Sequence, residues 1–174
     1  VESLLKHAGK AIKMMTVAPE ECTPDVIRQL KEHGITVAAG HSNATFMQAA
    51  AGFEMGVETV THLFNAMTPL HHRDPGLPGA AFLSSTACAS IIADGIHVDY
   101  SMVAIAKEIM KERLFLVSDA VEVNERGAYR HVRQEDRFTL PDGTLSGAKL
   151  SMLDAVRNCV NHAGIDLYEA IRMA

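Results

Sequence analysis

A chain of 174 residues, 48% hydrophobic and 21% charged, is long enough to bury a core and has the make-up of an ordinary globular protein. Its formal net charge of −5, with aromatics at 5% and no Trp, offers little to nucleic acid or to an anionic membrane surface. No apolar run approaches the roughly 20 residues of a membrane span and no secretory signal is visible, so neither nucleic acid nor membrane is an expected partner.

The chain opens without Met at "VESLLKHAGK", as if inside a helix, which reads as a fragment. Val1 to Ile12 has helical spacing, with Leu4, Leu5, Ala8, Ala11 and Ile12 on one apolar face. "MMTVAPE" is a short apolar run halted by Pro19. "TPDVIRQLKEHG" predicts a helix with Thr23 as N-cap, Pro24 at its first position and Gly34 as its stop. "ITVAAGH" reads as a strand, "SNATFMQAAAGFEMG" as an Ala-rich helix ended by Gly56, and "VETVTH" as the next strand. Leu63 to Ala81 reads as a long loop.

"ACASIIADGIH" then predicts a strand through Ile92, "DYSMVAIAKEIMKE" a helix capped by Asp99, and "RLFLVSDA" a further strand. Val121 to Gly143 fits neither period and reads as a long loop or a hairpin. "SGAKLSMLDAVRNCVNHAG" predicts a long helix capped by Ser146 and ended by Gly164, and "DLYEAIRMA" starts another. About five strands alternating with helices argue for a parallel sheet buried on both faces. The pattern leaves open a doubly wound sheet and part of a (β/α)8 barrel, since a whole barrel needs about 250 residues.

Each strand runs into a polar residue at its C-terminal end: Glu20, His41, His62, Asp94 with His97, and Asp119. In parallel α/β folds these ends open on one face, where sites are assembled. Imidazoles there can hold a divalent metal, and a neighbouring carboxylate can move a proton. The bland reading is that a lone strand-end histidine is a hydrogen-bonded structural residue. Glu20 after Pro19 reads as the start of a loop, and His7, His33, His131 and His162 as surface. Arg73, in "NAMTPLHHRDPGLPGA", is either an anion contact or an exposed turn residue. Cys22, Cys88 and Cys159 form no CxxC pattern and read as reduced thiols of a cytoplasmic protein. No GxGxxG follows a strand, which leaves a Rossmann-like binding domain without support.

Taken in order, "GHSNAT", "THLFNAM", "RDPG", "ADGIHVD", "LVSDA" and "GTLSG" resemble the N-acetylglucosamine-6-phosphate deacetylases of the amidohydrolase superfamily. The resemblance implies that residues 1–174 are a single catalytic-domain fragment of about five βα units, strands four to eight of a TIM-like barrel. The first barrel strands and the small β-domain of the family would then lie outside it. It implies His41 and His62 as metal ligands and Asp119 as the base that activates water and later protonates the departing amine. It implies His97 as a sugar contact, with Asn65, the Ala66 backbone and Arg73 on the 6-phosphate. Zinc is the expected metal, with iron, manganese or cobalt as alternatives. The expected partners are an amino-sugar phosphate and a second copy of the chain. The family's upstream "HLEGP" segment, with its metal-binding Glu, and a later carbonyl-polarising His have no counterpart here. Two histidines without that carboxylate predict a weakened site. Other deacetylases or deaminases of the superfamily, and a non-catalytic sugar-phosphate-binding module, are the alternatives.

Overall fold

The computed structural model describes residues 1–8, 10–124 and 130–174. The chain divides into two compact units, Val1–Ser90 and Ile91–Ala174. In the first, helix α1 (Glu2–Ala8) leads to strand β1 (Met14–Val17), helix α2 (Pro24–Glu32), strand β2 (Thr36–Ala39), helix α3 (Phe46–Met55), strand β3 (Thr59–Val60) and helix α4 (Gly76–Leu83). Strand β4 (Cys88–Ile91) begins in this unit and passes its last residue to the second. There follow α5 (Tyr100–Met110), β5 (Leu114–Leu116), β6 (Val132–Arg133), β7 (Arg137–Thr139), β8 (Leu145–Ala148), α6 (Met152–Asn161) and α7 (Leu167–Met173).

The fold is α/β, built on a five-stranded sheet in the order β1-β2-β3-β4-β5. The pairings β1–β2, β2–β3 and β3–β4 are parallel, with Val17 opposite Ala39, Ala39 opposite Val60, and Val60 opposite Ala89. Val37, Ala38, Ala39, Val60 and Ala89 are wholly buried, as expected of strands covered on both faces. In the second unit the Val117 amide donates to the Ile91 carbonyl at 3.1 Å, and a separate antiparallel sheet has the order β6-β7-β8. No helix among the described residues is long and apolar enough to cross a membrane.

Several boundaries differ from the sequence expectation, each for a local reason. The described part of the first helix ends at Ala8, with Leu5 buried and Leu4 exposed; residue 9 lies outside the described residues. Thr23 has the extended backbone of an N-cap, but its side chain makes no capping bond. The third helix starts at Phe46, because Thr45 and Gln48 form a reciprocal capping box that fixes its first turn. Helix α4 occupies what reads as loop. Pro78 sits in its first turn, where an N–H would find no helical acceptor in any case. Gly79 is needed there because a Cβ would lie 2.3 Å from that of Pro75. The sixth helix starts at Met152, capped by Ser151 and not by Ser146. Gly147, at φ 77°, breaks the helix early and places Leu145–Ala148 in a strand. Of the stretch Val121–Gly143, the described residues include the β6–β7 hairpin, whereas 125–129 lie outside the described residues.

Candidate functional site

Strand β2 reaches its end through Gly40, which threads between two threonines. A Cβ here would meet the Thr61 Cβ at 2.9 Å and the Thr16 Cγ2 at 3.0 Å. The two hydroxyls are themselves joined at 2.8 Å. His41 follows in the left-handed region at φ 48°, and His62, just past β3, adopts φ 36°. A non-glycine residue in that region costs on the order of 1–3 kcal/mol, so the surroundings must impose it. They do so on His62 through Ser90 of β4, whose Oγ accepts the His62 amide at 2.8 Å and whose carbonyl accepts that of Leu63 at 2.7 Å.

The outcome is that His41 Nε2 and His62 Nε2 lie 3.0 Å apart, with ring centroids 4.8 Å apart and planes at 75°. His62 is 6% exposed, whereas His41 is open to solvent. Two nitrogens on one tetrahedral zinc, each about 2.0–2.1 Å from it, would be roughly 3.3 Å apart. The convergence therefore fits two donors to a single ion. Among the described residues no group of three or more His, Cys, Asp or Glu could hold a metal. Glu20 does not complete the pair, because both of its oxygens are engaged, one by the Ser42 hydroxyl at 2.7 Å and one by the Asn43 amide at 2.5 Å.

The chain after His62 turns sharply. Phe64 and Ala66 also have positive φ, at 78° and 48°. Asn65 uses its side-chain amide to hold this turn, with Nδ2 at 3.5 and 3.3 Å from the carbonyls of His62 and Leu63. Ala66 and Arg73 are exposed, as are His71 and His72, whose rings lie 4.2 Å apart.

In the second unit, the turn after β4 is wound around Asp94. One of its oxygens accepts the amides of Ile96 and His97 at 2.9 and 2.8 Å, and the other meets His97 Nδ1 at 2.6 Å. Burial pushes the Asp94 carboxyl up, but the bonds from the His97 ring and from these two amides outweigh it and hold it below its ordinary value. Asp119 follows β5 and is left-handed too, at φ 46°. Its carbonyl accepts the Ala148 amide at 2.8 Å, and Gly147 packs so closely that a Cβ would lie 3.2 Å from that carbonyl and 2.5 Å from Val121 Cγ1. The "GTLSG" string thus runs into the strand whose Gly147 and Ala148 lie against Asp119.

His41 and His62 are brought together, and Asn65 and Ala66 share the turn that follows His62. His97 and Asp119 belong to the other unit, where each has its own support. Sequence reasoning passed over Gly40, Ser42 and Ser90. Of these only Ser90 left a signal, as a hydroxyl inside the otherwise apolar "CASII".

The family described as "Amidohydrolase family" matches residues 1–174. The chain is 35% identical to an N-acetylgalactosamine-6-phosphate deacetylase of Escherichia coli O157:H7, covering 100% of this chain and 48% of that protein. It is likewise 35% identical to an N-acetylglucosamine-6-phosphate deacetylase of Haemophilus influenzae, again over 100% of this chain and 48% of the relative. The crystal structure of the N-acetylglucosamine-6-phosphate deacetylase of Pasteurella multocida superposes with a TM-score of 0.90 at 33% identity, over 99% of this chain and 48% of that one. A mutant of the Mycobacterium smegmatis enzyme, in complex with N-acetyl-D-glucosamine-6-phosphate, gives a TM-score of 0.90 at 28% identity, over 99% of this chain and 49% of that one. The chain spans about half the length of the curated relatives it matches.

Proposed function

This chain belongs to the amidohydrolase family, and from that premise we propose that its residues serve the metal-dependent removal of acetate from N-acetylglucosamine 6-phosphate. The observation that carries the reading is the meeting of two imidazole nitrogens at 3.0 Å, each delivered by a left-handed residue at a strand end. Backbone strain of this kind gathers at working sites. Similarity to deacetylases along the whole chain supports the same reaction class. The corresponding fold reading is strands four to eight of a (β/α)8 barrel.

A divalent ion held in part by His41 and His62, zinc in the first place and iron, manganese or cobalt as alternatives, would polarise the acetyl carbonyl and acidify water. Asp119 takes a proton from the attacking water and returns it to the amine as the amide C–N bond breaks. His97, with Nδ1 committed to Asp94, offers Nε2 to a sugar hydroxyl. Arg73 pairs with the 6-phosphate, alongside Asn65 and the Ala66 amide. Its exposed loop suits a contact shared with a second copy in a homodimer. Free cysteines at positions 22, 88 and 159 support a cytoplasmic setting.

A second reading takes the galacto epimer as substrate, and the Escherichia coli relative's name favours it. The comparison of kcat/KM on the two 6-phosphates decides between them. Asp119→Asn in the full-length protein is expected to lower kcat by about 10³-fold; a near-normal rate would remove Asp119 as the base. Arg73→Ala is expected to raise KM for the phosphorylated sugar and leave the unphosphorylated one unchanged, and equal effects would sink the phosphate assignment.

A further inference from the structure

Glu20 is the polar residue at the end of β1, half-buried, and it takes no part in the chemistry above. Its carboxylate reaches across to the turn that follows His41, accepting from Ser42 Oγ at 2.7 Å and from the Asn43 amide at 2.5 Å. Ser42 is 2% exposed and every polar group it has is used. Its Oγ also accepts the Ala44 amide at 3.1 Å. Its own amide donates to the Ala66 carbonyl at 3.1 Å, and its carbonyl accepts the Thr68 amide at 3.2 Å. Thr68 Oγ1 then donates to the Ala44 carbonyl at 2.8 Å and accepts the Leu77 amide at 2.9 Å. One carboxylate therefore anchors a continuous network. It joins the residue next to His41 to the Ala66 turn and on to the start of α4, just past Arg73.

We infer that Glu20 is a positioning residue, which holds the His41 turn and the Ala66 turn at a fixed separation so that metal and phosphate are bound in register. The inference rests on the reading of His41 as a ligand and of the Ala66 turn as the phosphate contact. His41 itself is exposed and left-handed; its ring meets His62, and the turn that follows it is held by this network. Removing a group that orients a metal ligand typically costs about 10–100-fold in metal affinity. Glutamine preserves the geometry. Its amide oxygen can accept from the Asn43 N–H, and its amide nitrogen can donate to Ser42 Oγ, which has lone pairs for two donors.

The test uses the full-length protein, with Zn²⁺ affinity measured by competition against a chromophoric chelator and KM measured for phosphorylated and unphosphorylated substrates. Glu20→Ala is expected to weaken Zn²⁺ binding about 10–100-fold and to raise KM only for the phosphorylated sugar. Glu20→Gln is expected to stay within a few-fold of wild type. Ser42→Ala, a smaller change, is expected to shift both quantities in the same direction, and it decides the matter if Glu20→Ala fails to fold. Alanine variants that lose thermal stability while keeping wild-type Zn²⁺ affinity and KM would overturn the inference, as would a glutamine variant no better than alanine. His41→Ala separates the two levels: Zn²⁺ affinity unchanged by it overturns the site reading itself, whereas affinity lost in His41→Ala but kept in Glu20→Ala overturns only the role of Glu20.

Discussion

His62 and His97 are both histidines just past a strand, both hidden, and they are held by opposite means. His97 is fixed through its own amide and ring by Asp94, three residues away. His62 depends on Ser90, 28 residues on, and meets His41, which in turn relies on Gly40 packing against Thr16 and Thr61. The first arrangement is made largely of bonds within "ADGIH", with one tie from outside, the Asn158 side-chain amide donating to the Ala93 carbonyl at 2.9 Å. The second exists only when β1 through β4 are in register, so its geometry carries the cooperativity of the sheet. A site that needs two nitrogens 3.0 Å apart from separate strands has to be of the second kind.

Gly40→Ala probes that dependence most severely. The added methyl has no room between Thr61 and Thr16, and the overpacking is expected to cost about 3 kcal/mol and to displace His41. Urea unfolding and Zn²⁺ affinity should both fall; a variant with normal Zn²⁺ binding would break the link between sheet packing and the histidine pair. Ser90→Ala comes next, removing the acceptor of the His62 amide and a donor to the Val60 carbonyl. A loss of about 1–2 kcal/mol is expected by denaturation, with Asp94 and His97 unaffected.

Asp94→Asn is the smallest, about 1 kcal/mol, because asparagine still accepts from the Ile96 and His97 amides. Its sign depends on pH. The Asp94 carboxyl lies below its ordinary value when folded, so its contribution is complete above about pH 4 and fades as pH falls through the folded pKa. The gap between wild type and Asp94→Asn should be wide near neutrality and close in acid. A gap that widened in acid would refute the local-turn account of His97.

These same differences explain what could be read in advance. The strands and most helices were legible because β-branched runs, glycine stops and caps such as Asp99 act over a few residues. The strand-end placement of His41, His62 and Asp119 followed from that alternation. Helix α4 was not legible, since Gly76, Pro78 and Gly79 read locally as loop while burial against α3 makes them helical. The β8 strand was hidden for a related reason: "SGAKLS" continues a helical pattern until Gly147 is required to be left-handed beside Asp119. The Glu20–Ser42 bond joins residues 22 apart and has no sequence signature at all.

Strand β3 is only two residues long, yet the amides that follow it, of His62 and Leu63, are both bonded to Ser90. By secondary structure these are loop residues. Their protons should nevertheless be released to solvent deuterium only in openings that separate β3 from β4, as slowly as the protons of the buried strands around them. The segment bearing His62 is a loop in shape and a sheet in its exchange behaviour.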